Sequence, residues 1–69
     1  MATGYTRLGK KVKKLRKAQN FTQEKLAEIA NVDPKSIISI ESGKRNPTLR
    51  TLNKLAKALK TTTDNLLSF

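Results

Sequence analysis

A chain of 69 residues allows one domain, residues 1–69. A chain of this size buries only about 60% of the surface its unfolded form exposes, so its core must be compact and simple. The absence of cysteine excludes disulfide and zinc–thiolate staples, and 36% apolar with 4% aromatic residues favours small helices packed with Leu, Ile, Val and Ala. Fifteen Lys and Arg against five acids give a net charge of +10, a field that attracts nucleic acid or an anionic membrane surface. The N-terminal stretch MATGYTRLGKK lacks the apolar region of a secretory signal, and no apolar run approaches the roughly 18 residues of a membrane span. A cytoplasmic protein without a membrane partner is expected.

Strand signals are absent, and apolar spacing with cap residues places four to five short helices, an all-α bundle. The first runs from about Leu8 to Gln19, with Leu8, Val12 and Leu15 as one stripe and Arg7, Lys10, Lys11, Lys13, Lys14, Arg16 and Lys17 around it. A basic amphipathic helix of this kind can lie on a membrane. The narrow stripe without Trp or Phe fits a core-facing helix with a solvated cationic face better. The second helix is capped by Thr22, carries Gln23 and Glu24 in its first turn and buries Leu26, Ala27, Ile29 and Ala30. Asn31 ends it, being tolerant of the left-handed conformation.

The third helix begins after only Asn31, Val32 and Asp33. Asp33 is an N-cap, Pro34 occupies the first helical position, where its fixed φ helps and its missing N–H costs nothing, and Ser42 and Gly43 close the helix. A fourth helix follows Pro47, capped by Thr48, with Leu49, Leu52, Leu55, Ala56 and Leu59 as its stripe. A last turn or two covers Thr62 to Leu67, with Asp64 near the positive end of its dipole.

The third helix has two unlike faces. At about 100° per residue, Ile37 and Ile40 point inward together while Lys35, Ser39 and Ser42 point outward, flanked by Ile38 and bordered by Pro34 and Ser36. Two helices joined by three residues form a helix-turn-helix over about residues 22–42. Ala27 permits a close crossing and Val32 plugs the turn. The second helix of such a pair fits the major groove with its N-terminal residues at the base edges, and short serines let it approach.

The segments LGKKVKKLR, TQEKLAEIANV and SIISIESGKRNPTLRTLNKLAKAL resemble the lambdoid phage repressor and Cro type of helix-turn-helix regulator, over roughly Leu8 to Leu67. The resemblance implies a lambda repressor-like fold. It places Gln23 against a phosphate, Pro34, Lys35, Ser36 and Ser39 where the family reads bases, and Ser42, Lys44, Arg45 and Asn46 in the loop that clamps the backbone. It pairs Arg16 of the first helix with Glu41 of the third, near the DNA backbone. Two positions depart from the pattern. Lys35 stands where many relatives carry Gln or Ser, and Pro34 replaces a residue able to bond a base, so direct readout falls to Lys35 at guanine and to Ser36 or Ser39. Asn20, Asn31 and Lys60 fall where relatives often have Gly, and Lys60 in a left-handed site costs about 1 kcal/mol.

The function expected is a sequence-specific double-stranded DNA-binding transcriptional regulator, a repressor, working as a homodimer on a pseudo-palindromic operator. The family dimerises through its C-terminal part, which implicates Leu66, Leu67 and Phe69, although Leu66 also suits the core. Within 69 residues there is no room for a ligand-sensing domain, so no small-molecule ligand is expected. An antitoxin acting with a protein partner, with Ile38 or Phe69 as its contact, and a restriction-modification controller use the same format. An enzyme is not expected: His and Cys are absent, the five acids are scattered, and no catalytic couple, metal site or cofactor suggests itself. RNA binding is disfavoured by the lack of an aromatic platform.

Overall fold

Hydroxyl and carboxylate caps set where four of the helices start. The side chains of Thr22, Asp33, Thr48 and Thr62 accept the backbone N–H of Lys25, Lys35, Thr51 and Asn65 respectively. Each such cap contributes about 1 kcal/mol by satisfying a donor that the helix itself leaves free. The computed structural model describes residues 4–68 and gives α1 (Gly4–Ala18), α2 (Gln23–Ala30), α3 (Pro34–Glu41), α4 (Leu49–Ala58) and α5 (Thr63–Leu66), with no strand among the described residues. The turns between them use left-handed residues: Asn20 at φ 60°, Asn31 at 57°, Gly43 at 76° and Lys60 at 58°. The two asparagines are mild at such sites; Lys60 carries the greater steric strain.

The helices close around one core. α1 packs on α3 and α5, α2 packs on α3 and α4, and α4 packs on α5. Leu8 and Val12 of α1, Leu26 of α2, Ile37 and Ile40 of α3, Leu55 of α4 and Leu66 of α5 are the largest fully buried side chains among the described residues. The radius of gyration is 10.4 Å, against about 11 Å for a close-packed chain of this length.

Several expectations change. α1 starts at Gly4, one turn before Leu8, and Thr6 in that added turn lies against the loop after α3: a Cβ on Gly43 would stand 3.1 Å from the Thr6 Cα. Ile29 is exposed, not buried. On a 100° wheel it sits roughly 110° from the mean direction of Leu26, Ala27 and Ala30, outside the inward arc. Leu49 shares the angle of the α4 stripe but stands at the first helical residue, and 66% of its surface stays exposed. Leu66 is fully buried, so it belongs to the core and offers nothing to a second copy.

One glycine has a packing role that its surroundings in sequence do not advertise. A Cβ on Gly9 would lie 2.3 Å from the carbonyl oxygen of Ile40 and 2.8 Å from that of Glu41. α1 therefore crosses the C-terminal turn of α3 backbone against backbone, a distance only glycine permits.

Candidate nucleic-acid interface

The bend between α2 and α3 is fixed by its own backbone. The Asn31 N–H donates to the carbonyls of Ala27 and Glu28, and the Val32 N–H donates to Ala27 at 3.0 Å. Val32 is half-buried against the core, directly below the turn. From α4, the Lys54 ammonium donates to the Asn31 carbonyl at 3.4 Å. Asp33 then caps α3 by accepting the Lys35 N–H at 2.9 Å, and Pro34 follows at the first helical position. α3 thus starts at a defined place and direction before any ligand arrives.

Its faces divide at the paired isoleucines. Ile37 and Ile40 are buried, whereas Ile38 is 51% exposed. Pro34, Lys35 and Ser42 are exposed and Ser36 and Ser39 half-exposed, so the outward surface is uncharged apart from Lys35, its serines flanked by the apolar Pro34 and Ile38. The following loop folds onto it. Arg45 Nη1 donates to Ser36 Oγ at 3.1 Å, and Ser42 Oγ donates to the Ser39 carbonyl at 3.0 Å. Lys44, Arg45 and Asn46 are exposed, while Pro47 next to them is buried and anchors the loop. Lys35, Lys44 and Arg45 have no acidic partner among the described residues.

Behind α3, Arg16 reaches over from α1. Its Nε donates to Glu41 Oε2 at 2.7 Å, its Nη2 to Glu41 Oε1 at 3.0 Å and its Nη1 to the Phe21 carbonyl at 2.7 Å. The fork geometry matches both carboxylate oxygens, the arrangement for which a guanidinium is suited and an ammonium is not. Only 10% and 4% of the two side chains remain accessible. The hydrogen bond to Glu41 holds the Arg16 pKa above its ordinary value, burial working in the opposite direction. Gln23, at the first residue of α2, donates from Nε2 to Glu41 Oε1 at 3.2 Å. Glu41 thereby ties α1, α2 and α3 together, and no buried side-chain N or O among the described residues lacks a partner.

The residues singled out in the sequence accordingly form two groups. Pro34, Lys35, Ser36, Ser39, Ser42, Lys44, Arg45 and Asn46 lie on α3 and the loop that follows it, cross-linked by the Arg45–Ser36 bond. Arg16, Glu41 and Gln23 form the brace behind it. Sequence reasoning missed the Gln23–Glu41 bond, the Arg45–Ser36 bond and the role of Gly9. The first two need coordinates, since neither spacing is helical. A small residue one position from the Leu8–Val12 stripe was the legible signal for Gly9. Phe69 lies outside the described residues. No helix among them is long and apolar enough to cross a membrane.

Residues 12–66 match the family described as Helix-turn-helix. The chain is similar to control protein C.SmaI of Serratia marcescens, 44% identical over 61 residues that cover 88% of this chain and 73% of that protein. It is 40% identical to the immunity repressor protein of Bacillus phage phi105 over 52 residues, 75% of this chain but only 36% of that longer protein. Among solved structures, the restriction-modification controller protein C.AhdI from Aeromonas hydrophila superposes with a TM-score of 0.87 at 32% identity, covering 90% of this chain and 94% of that one. An all-helical fold, a capped bend between α2 and α3 and these relatives agree: the chain belongs to the helix-turn-helix family of Cro/C1-type, DNA-binding transcriptional regulators.

Proposed function

We propose that this regulator is a sequence-specific repressor that sets α3 in the major groove of duplex DNA as a homodimer. The observation that carries the reading is the outward face of α3: short serines and one free ammonium beside the exposed Ile38, near the capped N-terminal end of a helix whose opposite face is buried. Large side chains there would hold the helix away from base edges. Lys35 gives donors to guanine N7 or O6, Ser36 and Ser39 bond neighbouring base edges, and Pro34 sits at the groove edge. Gln23 at the positive end of α2, with Ser42, Lys44, Arg45 and Asn46 on the other side, holds the flanking phosphates. The Arg16–Glu41 pair orients Gln23 relative to α3. It reads no base.

A module this small buries roughly 600–1,000 Å² on DNA, too little for selective binding by one copy. Two copies on a pseudo-palindrome with half-sites about one helical turn apart supply the rest. With Leu66 in the core, the exposed apolar residues at the α4–α5 end, Leu67 and Leu49, are the contacts proposed for the second copy. A cytoplasmic site of action follows from the DNA target.

Selection of bound sites from a random duplex pool tests the reading. A recovered motif with two inverted halves supports it; recovery of no motif at any salt concentration rejects it. A second reading, control of a restriction-modification operon, is favoured by similarity to C.SmaI and C.AhdI across most of those proteins' length. Restriction and methylation genes beside this gene would favour that reading over a phage-type repressor.

A further inference from the structure

We propose that Arg7, Lys10 and Lys14 of α1 bind the phosphate backbone of a second stretch of duplex DNA, while α3 engages the first. The inference rests on the DNA-binding reading above for that first duplex. All three side chains are exposed, and with Lys11 and Ser68 they line an open groove of about 530 Å³. Lys11 is already engaged, its ammonium donating to the Ser68 carbonyl at 3.2 Å. The other three have no acidic partner among the described residues: the ion pairs there are Arg16–Glu41 and Lys25–Glu28.

The groove faces away from α3. α1 meets α3 along Gly9, whose missing Cβ admits the Ile40 carbonyl, and along Arg16, which bonds Glu41. At 100° per residue the mean direction of Arg7, Lys10 and Lys14 lies about 140° around the helix from that line. A duplex held by α3 therefore leaves these cations unused.

The fold gives no structural reason for the cluster. Arg7–Lys10, Arg7–Lys11, Lys10–Lys14 and Lys11–Lys14 are like-charge neighbours three or four positions apart, which destabilises a helix. Arg7 also stands near the positive end of the helix dipole, and the first turn of α1 contains no acid to offset it. The geometry suits duplex phosphates. Arg7 to Lys14 spans about 10.5 Å of helix rise, close to the roughly 10 Å of duplex axis covered by four successive phosphates on one strand. No aromatic residue lines the groove to stack the bases of a single strand. Nor does any large apolar residue line it to seat acyl chains or an amphipathic peptide.

The test immobilises a duplex recovered from the random pool, loads the full chain on it, and measures capture of a labelled second duplex of unrelated sequence. The chain should retain the second duplex. Arg7→Gln/Lys10→Gln/Lys14→Gln should reduce that capture by about ten-fold or more while holding the immobilised duplex to within about three-fold. Arg7→Lys/Lys10→Arg/Lys14→Arg, which keeps the charge, should capture like the unaltered chain. Three results overturn the proposal: equal capture by the glutamine variant, parallel loss of both duplexes, or preference for polyglutamate or an RNA hairpin over duplex DNA. Failure of the chain to bind the immobilised duplex at all would overturn the DNA-binding reading together with this one.

Discussion

At the scale of single residues, Glu41 carries the most consequence, since one carboxylate accepts from Arg16 on α1 and from Gln23 on α2. Removing one member of a buried pair leaves an uncompensated charge, whereas replacing both by apolar groups relieves it. Glu41→Leu is expected to destabilise by about 3 kcal/mol, and Arg16→Met/Glu41→Leu by clearly less than either single change, measured as urea midpoints. A double variant whose destabilisation equals the sum of the two single ones would mean that the pair contributes nothing through its mutual contact. Lys35 is the residue at which specificity is tested. Lys35→Ala should lower affinity for the selected site by about 1–3 kcal/mol and affinity for unrelated duplex much less, as competition titrations would show.

At the scale of elements, the loop from Ser42 to Pro47 is fixed at both ends and open in the middle. The buried Pro47 and the left-handed Gly43 pin it, and Lys44, Arg45 and Asn46 project. Neutralising Lys44 and Arg45 together should weaken binding to every sequence alike and flatten the plot of log affinity against log salt by about 2, near 0.9 for each phosphate no longer neutralised. How far the elements could be read from the sequence follows from their chemistry. Helix starts were legible at Thr22, Asp33, Thr48 and Thr62 because a cap is a local hydrogen bond and its donor lies two or three residues away. The opposed roles of Ile37 and Ile38 followed from helix pitch alone. Ile29 and Leu49 were misread because burial depends on which neighbour covers a turn, and no spacing rule reports that. The first turn of α1 packs against the Gly43 loop, a tertiary contact that no apolar spacing within α1 reports. Within the candidate site, the placement of Pro34, Lys35, Ser36 and Ser39 on one helix and of Lys44, Arg45 and Asn46 in the loop after it was legible in the sequence. The bonds that join Gln23 to Glu41 and Arg45 to Ser36 were not, since they connect residues 18 and 9 positions apart through the tertiary fold.

At the scale of the whole molecule, a net charge of +10 on 69 residues opposes compaction. Screening shortens the Debye length from about 30 Å at 0.01 M salt to about 8 Å at 0.15 M. The thermal midpoint of the free chain should therefore rise over that range while its affinity for DNA falls, two opposite trends from one charge distribution. A midpoint insensitive to salt would place the stabilising balance elsewhere. Assembly is tested at Leu67, 45% exposed beside the buried Leu66. Leu67→Asp should shift the chain toward monomer in sedimentation, leave the helical circular dichroism unchanged, and reduce the affinity for a two-half site far more than for a single half. The same variant sedimenting as the unaltered chain would place the contact between copies on another surface.

Gly9 has a mechanical corollary. Because α1 and α3 touch main chain to main chain at Gly9, no side chain lies between them at that point to absorb displacement by changing rotamer. A load applied to the cationic flank of α1 is transmitted directly to the element beneath, and the angle between anything gripped on the two sides is set by the crossing itself. Supplying one methyl at that position would act as a wedge, tilting one grip relative to the other.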